Sequence, residues 1–548
     1  MKQKLIFLAS LFSFHFLNAQ NSKNTFSVSE PSYAKTFISI DSILSSFNDP
    51  SIPATEIAII KSGKIIYNKG LGSADIEKKV PSTLETNFNI ASNSKQFVAM
   101  CIMLLEESGK LFRTDDIRKY IPEMPVYDTA ISINNLIYHT SGIRDYLELQ
   151  GIMCKQGDFN QKSNLKLIAK QQHLNFEPGE YHLYSNSNYF LLGLIVERVS
   201  GYPLHKFIRD NIFIPLGMKN TFFSEEKRIT NEAKDYRKNS STYILQENKH
   251  PTISGEGGIV SNVNDLLLWD QNFYHNILGN RKQKIVEDML ITGRLNSLEN
   301  TYYGCALFNI QYKGKQAVLH GGGYHSYSTQ ILRFPSDSLS IIFLSALPTS
   351  TDNYCFKIAD LFIENKSQNS KTTFQNDLAS TNIPGYYFNK KLLNYRLVEQ
   401  ADSCLIINRK KYYKVAENNY VSDEDVWGWK NQLSFANADN GDIEMNHKIT
   451  YTNDNYKKLK EDTLNPNFAG KYYCPELSNL SFELRFEDKK PVFLVDGKYT
   501  ADVTKTFGNI ALIPTFSAVM FFETDVNKQA TGFVLSTDRV KKINFVKK

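Results

Sequence analysis

Residues 88–100, FNIASNSKQFVAM, combine a short apolar run, the polar sequence Ser-Asn-Ser-Lys and the start of an apolar helical pattern. Lys95 follows Ser92 by one helical turn, so its amine can approach the serine oxygen. A serine is a poor nucleophile unless a neighbouring base takes its proton, and burial can lower the pKa of a lysine enough for this role. The stretch therefore predicts either a catalytic serine with its base, or a serine that only caps the helix while the lysine is solvated.

The pattern around this stretch predicts the fold class. A β-hairpin is expected over residues 56–78, apolar helices over 94–110, 187–201 and 264–277, and strands again from 303 onward. Helices inserted between N-terminal and C-terminal strands predict an α/β domain whose sheet takes strands from both ends of the domain.

Ser-x-x-Lys alone is weak, because it also occurs at 32–35, 163–166 and 224–227. A second segment adds to it: Tyr184 and Asn186 lie in a predicted loop directly before a helix. A phenol that faces a lysine ammonium is favoured as phenolate and can act as a general base. The amide of Asn186 can donate to a substrate carbonyl and accept from Lys95. The alternative is a surface tyrosine followed by an asparagine that caps the helix.

A third segment, VLHGGGYHSYSTQ at 318–330, runs from an apolar strand into His320, Gly321, Gly322 and Gly323. Glycines in a strand let a substrate approach the backbone closely. A backbone N–H here could join that of Ser92 in an oxyanion hole. The alternative is a flexible hairpin.

In this order the three segments resemble the signature of the penicillin-recognising serine hydrolases, which include serine β-lactamases, DD-peptidases, esterases and aminopeptidases. YHTSGIRDY (138–146) and GEGGIVSNVNDLLLW (255–269) are similar to two further family landmarks. The tyrosine form of the second motif resembles class C β-lactamases and D-aminopeptidases. Over residues 35–365 the resemblance implies an antiparallel sheet flanked by helices, together with an all-helical region.

The resemblance also implies roles for the residues at matching positions. Ser92 would form an acyl-enzyme, and Tyr184, coupled to Lys95, would shuttle protons. Asn186 would orient the substrate and Lys95. The backbone N–H groups of Ser92 and Gly323 would form the oxyanion hole, and Gly321 and Gly322 would contact the substrate. His320 takes the place of the lysine in the family's Lys-Thr-Gly motif. This chemistry implies no metal and no organic cofactor.

His320 is the main departure from the family pattern, because a histidine is mostly neutral near pH 7 and attracts a carboxylate less strongly than lysine does. The His-x-Gly variant is similar to the family's D-aminopeptidases. The expected substrates are therefore D-amino-acid peptides, amides or esters. The alternatives are a class C-like β-lactamase or D-Ala-D-Ala carboxypeptidase, and an acylatable sensor that does not turn over.

The N-terminal residues 1–19 have the layout of a secretory signal peptide: two lysines, an apolar run from Leu5 to Leu17 and a small-residue cleavage site before Gln20. We therefore expect a periplasmic or secreted protein with no membrane span after cleavage. The six scattered cysteines do not suggest a disulfide framework or a zinc site.

The 548 residues predict several domains. We expect a hydrolase domain over 20–365, a polar linker over 366–376, a lipocalin-like β-barrel over 377–462 and a second β-barrel over 463–548. The two barrels are indicated by a repeat: NIPGYY (382–387) and NFAGKYY (467–473) agree at an offset of 85 residues. Barrel domains also follow the catalytic domain in the D-aminopeptidases.

The composition and charge of the chain indicate which kinds of ligand it can bind. The chain is 42% hydrophobic and carries a net charge of +6, without a concentrated basic patch. Nucleic acid is therefore a poor candidate partner, and small peptides, amides or esters are the expected ligands. The sequence leaves the oligomeric state open.

Overall fold

The computed structural model of the protein describes residues 33–154, 160–226, 230–240, 242–246, 255–363, 382–401, 404–422, 431–438, 442–449, 452–514 and 517–548. The predicted signal peptide (1–19) and the predicted linker (366–376) lie outside the described residues.

The N-terminal region, residues 33–363, contains helices and short strands around one long sheet. Its helices are α1 (Ala34–Ile43), α2 (Lys95–Glu107), α3 (Ile133–Ile137), α4 (Tyr146–Ile152), α5 (Gln161–Ala169), α6 (Asn186–Ser200), α7 (Leu204–Ile208), α8 (Ile214–Leu216), α9 (Val263–Asn272), α10 (Gln283–Met289) and α11 (Thr351–Ala359). Its strands are β1 (Thr55–Lys61), β2 (Lys64–Leu71), β3 (Ser73–Asp75), β4 (Val80–Pro81), β5 (Phe88–Asn89), β6 (Phe222–Phe223), β7 (Tyr236–Asn239), β8 (Thr242–Leu245), β9 (Ile259–Ser261), β10 (Phe308–Tyr312), β11 (Lys315–Tyr324), β12 (Tyr327–Phe334) and β13 (Leu339–Ser345).

The main sheet has six antiparallel strands in the order β10-β11-β12-β13-β1-β2. The N-terminal strand β1 pairs with the C-terminal strand β13, with Ala58 opposite Ile342. Both strands are buried almost throughout because helices cover both faces of the sheet. This architecture confirms the predicted α/β domain with strands from both ends.

Helix α2 forms the centre of the all-helical side. It is buried around nearly its whole circumference and not only along one face, which is the property of a central helix. The ring of Phe97 packs against that of Trp269 of α9, with the centroids 4.5 Å apart, and the buried Met100 and Cys101 belong to the same core cluster. The N-terminus of this helix is therefore held in a fixed position against the sheet.

The C-terminal part of the chain is all β, which confirms the predicted fold class, and it begins with a closed antiparallel barrel of eight strands. The strands of this first barrel are β14 (Gly385–Asn389), β15 (Asn394–Ala401), β16 (Cys404–Ile407), β17 (Lys410–Ala416), β18 (Asn419–Ser422), β19 (Gln432–Asn437), β20 (Ile443–Ile449) and β21 (Thr452–Lys458).

The remaining residues, 464–548, form a second β unit. Its nine strands run in the order β25-β24-β23-β22-β30-β29-β28-β27-β26. The two edge strands β25 and β26 follow one another in the chain with only residues 503–504 between them, so the sheet curves until its edges lie close together. The strands are β22 (Gly470–Cys474), β23 (Leu480–Glu487), β24 (Lys490–Val495), β25 (Tyr499–Asp502), β26 (Lys505–Phe507), β27 (Ile510–Ile513), β28 (Ala518–Thr524), β29 (Ala530–Ser536) and β30 (Ile543–Lys547).

The sequence repeat corresponds to equivalent structure at the start of each β unit. Gly385 and Gly470 both have a positive φ, 144° and 147°, where each first strand begins. The hydroxyl of Tyr387 donates to the carbonyl of Ile383, and that of Tyr472 donates to the carbonyl of Phe468. Each buried tyrosine thereby ties its strand to the preceding turn.

The second β unit packs directly on the N-terminal region. The buried apolar core of that unit also contains Leu149 and Ile152 of α4, Met153 at the end of α4, and Leu167 of α5. Burial of this surface holds the second β unit beside α4, the helix that begins next to the site described below. Among the described residues, no helix is both long and apolar enough to cross a membrane.

Candidate active site

Ser92 lies in a tight turn that connects β5 to α2. Residues Ala91–Ser94 form a 3-10 helix, and Ala91 has a positive φ of 48°. Asn89 stabilises this unusual backbone by accepting a hydrogen bond from the Ala91 N–H at 2.9 Å. The turn leaves Ser92 partly accessible while its neighbours are buried, which is the exposure that a nucleophile needs.

Lys95 is fully buried, so it is not the solvated lysine of the alternative interpretation. Its ammonium donates to Ser92 Oγ at 2.9 Å, to Asn186 Oδ1 at 3.0 Å and to the carbonyl oxygen of Glu256 at 2.7 Å. An ammonium has three protons, so all of them are used. The amine is therefore fixed beside the serine oxygen.

Tyr184 completes the group predicted from the sequence. The Lys95 nitrogen lies 5.0 Å from the centroid of its ring. The phenolic oxygen is buried, and it has no hydrogen-bond partner among the described residues. A buried hydroxyl without a partner is costly, and here it belongs to the residue expected to exchange protons with a substrate.

Asn186, the first residue of α6, is oriented by a carboxylate that the sequence analysis did not single out. Asp145 Oδ2 accepts from the Asn186 backbone N–H at 2.7 Å and from its side-chain amide at 2.9 Å. One of the two amide protons is thereby used, which leaves the second available for a further bond. The sequence signal for Asp145 was its position before α4, whose N-terminus it caps.

The segment His320–Gly323 lies on β11 beside the Ser92 turn. A Cβ on Gly322 would come within 2.4 Å of the Ile90 carbonyl oxygen and of Thr329 Oγ1, so only glycine permits this approach. A Cβ on Gly323 would meet no atom within 4 Å, and one on Gly321 would lie 2.9 Å from Gln330 Oε1. The open space over Gly323 is where a substrate could contact the strand.

His320 is buried and neutral. Burial, with a further contribution from the charge of Lys95, lowers its pKa to about 3. One ring nitrogen, Nε2, lies 3.0 Å from the hydroxyl of Tyr303, and the other lies 2.6 Å from the carbonyl oxygen of Gly321. At neutral pH this residue therefore brings no positive charge to the site.

His139, from the segment YHTSGIRDY, packs against Tyr184. The ring of His139 lies 4.2 Å from that of Tyr184, centroid to centroid, and its Nδ1 accepts from the Ser185 N–H at 3.2 Å. Burial holds the pKa of His139 well below its usual range. His139 is therefore an uncharged side chain that packs against Tyr184 and holds the loop before α6 in place.

Glu256, from the landmark GEGGIVS, is a second residue that the sequence analysis did not assign. One carboxyl oxygen accepts from the hydroxyl of Tyr146, and the other is buried without a partner among the described residues. Burial raises the pKa of this carboxyl to about 7. Its backbone carbonyl binds Lys95, so a titratable group is attached to the segment that holds the lysine.

A third residue outside the sequence prediction comes from the second β unit. The Arg539 guanidinium carbon lies 5.1 Å from the centroid of the Tyr184 ring. The structure thus brings together all the predicted side chains, Ser92, Lys95, Tyr184, Asn186 and His320, and adds three charged or titratable groups around them. No cluster of three or more residues able to bind a metal occurs in the described part of the chain.

Comparison with known proteins identifies the family. The beta-lactamase family profile matches residues 40–360, more than half of the chain. The chain belongs to the beta-lactamase family. As a member of this family it is a serine hydrolase, with an α/β domain followed by all-β regions.

Relatives of this beta-lactamase family member share the same region. Penicillin-binding protein 4* of Bacillus subtilis is 32% identical over 316 residues, which cover 53% of this chain and 68% of that protein. Protein flp of Staphylococcus aureus is 32% identical over 201 residues, 36% of this chain and 40% of that protein. The octameric penicillin-binding protein homologue from Pyrococcus abyssi shares the fold with a TM-score of 0.54 at 21% identity, over 77% of this chain and 99% of that one.

Proposed function

We propose that the protein is an exported serine hydrolase that cleaves amide or ester bonds of D-amino-acid-containing peptides through an acyl-enzyme on Ser92. The observation that carries the proposal is the buried Lys95 ammonium, 2.9 Å from Ser92 Oγ and 3.0 Å from Asn186 Oδ1. A cap serine followed by a solvated lysine would not have this geometry.

In the proposed reaction Ser92 Oγ attacks the substrate carbonyl, and its proton passes to the Tyr184–Lys95 pair. The N–H groups of Ser92 and Gly323 stabilise the oxyanion. The pair then protonates the leaving amine or alcohol, and the carbonyl–nitrogen or carbonyl–oxygen bond breaks. A water, deprotonated by the same pair, releases the acyl group and restores Ser92.

The neutral His320 supports peptides, amides and esters over β-lactams. A permanently charged lysine at this position would attract the carboxylate of a β-lactam, and a buried histidine with a pKa near 3 does not. The open face of Gly323 supports an extended substrate lying along β11. The resemblance of His-x-Gly to D-aminopeptidases, noted above, points in the same direction.

A class C-like β-lactamase or D-Ala-D-Ala carboxypeptidase is the second candidate function. It is favoured by the 32% identity to a protein named penicillin-binding protein 4*. Turnover of a chromogenic cephalosporin, measured beside turnover of D-amino-acid amides and esters, separates the two candidates. A persistent adduct without turnover of either class would instead favour an acylatable sensor.

Labelling by a fluorophosphonate probe tests the proposal. The wild type should label, and Ser92→Ala should not. Ser163→Ala is a matched control, because Ser163 and Lys166 form another Ser-x-x-Lys pair on the exposed N-terminal turn of α5. Equal labelling of the wild type and Ser92→Ala would exclude Ser92 as the nucleophile. Export is tested separately, since the mature N-terminus should be Gln20.

A further inference from the structure

We propose that Arg539 of the second β unit binds a carboxylate of the substrate. The inference rests on the proposed function, since it names a feature of the substrate that the same site would take. It assigns to the connection between β29 and β30, residues 537–542, the role of an active-site wall.

The connection is attached firmly to the N-terminal region. The carbonyl oxygen of Arg539 accepts from the side-chain amide of Asn175 at 3.0 Å, and Asn175 Oδ1 accepts from the Lys541 N–H at 2.6 Å. The Arg539 N–H donates to Glu148 of α4 at 2.9 Å. These bonds satisfy the backbone on both sides of Arg539, so the residue is held at the site.

A buried arginine strengthens the attachment. Arg144, only 1% exposed, donates to the carbonyl oxygens of Lys541 and Lys542 at 3.0 and 2.8 Å. It also pairs with Glu476 of the second β unit at 2.8 Å. Charge-assisted bonds of this kind are stronger than neutral ones. Three of its four side-chain hydrogen bonds therefore run to the second β unit, and the fourth runs to Gln171 of the N-terminal region at 2.9 Å.

The Arg539 side chain lies over the catalytic tyrosine and retains binding capacity. It is 42% exposed, and its ion pair with Asp145 is long, at 3.8 Å. Both Asp145 oxygens already accept bonds, Oδ1 from the Leu147 and Glu148 N–H groups and Oδ2 from Asn186. Within the described part of the chain, the guanidinium makes no hydrogen bond. Its planar donors suit a carboxylate, which it can bind with two parallel bonds.

The other basic groups at the site do not offer a charge to an anionic substrate. Lys95 is fully buried, with its three protons donated to Ser92, Asn186 and Glu256. His320 is neutral at physiological pH. A guanidinium carries a positive charge, and that of Arg539 lies 5.1 Å from the centroid of the Tyr184 ring. Arg539 would therefore bind a substrate carboxylate beside Tyr184, at a different position from the one that His320 occupies on β11.

Two matched substrate pairs test the inference, with the charge placed on either side of the scissile bond. One pair is N-acetyl-D-alanyl-D-alanine and its C-terminal amide. The other is the p-nitroanilide of N-succinyl-D-alanine and that of N-acetyl-D-alanine. For at least one pair, Arg539→Gln should lower kcat/KM for the charged member by about 10- to 100-fold, as loss of a charged hydrogen bond does. The neutral member should lose less than about threefold. Arg539→Lys should recover part of the loss through KM.

Equal losses for the charged and neutral members of both pairs would overturn the inference, because Arg539 would then only position Tyr184 or Asp145. Arg485→Gln, an exposed arginine paired with Glu483 in the same β unit, is the control for general effects on the fold. If no pair is turned over, protection of Ser92 from the fluorophosphonate probe replaces kcat/KM. Stronger protection by a charged member, lost in Arg539→Gln, would support the inference, and equal protection would overturn it. Failure of the probe to label Ser92 would instead refute the proposed function.

Discussion

Asp145 Oδ2 accepts hydrogen bonds from both the backbone N–H and the side-chain amide of Asn186, at 2.7 and 2.9 Å. This carboxylate fixes which way the amide faces and therefore presents Asn186 Oδ1 to Lys95. Lys95 is therefore positioned indirectly, through Asn186, by a residue that caps the start of α4.

Replacement of Asp145 should lower the reaction rate through the loss of Asn186 orientation, because Asp145 itself takes no part in the proposed reaction. We expect Asp145→Ala to lower kcat by about 10- to 100-fold, because Asn186 loses both bonds to the carboxylate and its Oδ1 is no longer held toward Lys95. The loss of the helix cap should also cost about 1 kcal/mol of stability. Steady-state kinetics and chemical denaturation measure the two effects. Asp116→Ala, which removes another cap aspartate, is the control: an equal fall in its kcat would show that the effect is one of stability alone.

The phenolic oxygen of Tyr184 is buried and has no hydrogen-bond partner among the residues that the structure describes, so the reaction rate and the stability should respond differently to its removal. Tyr184→Phe should change the free energy of unfolding by less than about 1 kcal/mol, since it removes an unsatisfied polar atom. It should lower the acylation rate by about 10²- to 10⁴-fold, as loss of a general base does. The rate of fluorophosphonate labelling and urea denaturation test this. A variant that is unstable but reacts at the normal rate would refute the proton-transfer role.

Two neighbouring glycines of β11 should differ in what they tolerate. Gly322→Ala places a methyl group 2.4 Å from the Ile90 carbonyl oxygen and should cost about 1–3 kcal/mol through overpacking. Gly323→Ala meets open space, so its thermal stability should match that of the wild type, although its methyl group would project toward the substrate. Thermal denaturation of both variants and of the wild type measures this difference in stability. Equal destabilisation would contradict the described approach of β11 to the Ser92 turn.

Glu256 should make stability depend on pH. Its folded-state pKa is raised to about 7 from an ordinary value of 4.5, so the folded state binds the proton more tightly than the unfolded state does. This contribution is fully present below about pH 4.5 and is lost as the pH rises through 7. Glu256→Gln keeps an acceptor for Tyr146 and does not titrate. Between pH 5 and 8 it should gain stability relative to the wild type, by on the order of 1–3 kcal/mol. A pH-independent difference in urea denaturation would be inconsistent with burial of an ionisable Glu256.

The sequence predicted the parts of the site that are local motifs and missed those that depend on distant contacts. Ser92 and Lys95 lie one helical turn apart, and Tyr184 and Asn186 flank one helix start, so short spacing was informative. Asp145 bonds Asn186, 41 positions away, and Glu256 bonds Lys95, 161 positions away. No local sequence pattern predicts such pairs.

The contribution of the second β unit to the site could also not be predicted from local sequence patterns. The repeat predicted its all-β character. The position of Arg539 depends on a buried cation, Arg144, that bonds across nearly 400 residues of chain. Only the packed structure reveals that a connection between β29 and β30 lies beside Tyr184.

The covalent intermediate on Ser92 is tested most directly by acid quenching during turnover of a D-amino-acid ester, followed by mass spectrometry of the peptide that contains residues 88–100. An acyl group is expected on Ser92 in the wild type, released with time, and none is expected in Ser92→Ala. Turnover without any acylated Ser92, or an acyl group on another residue that forms and decays at the rate of turnover, would contradict the proposed intermediate.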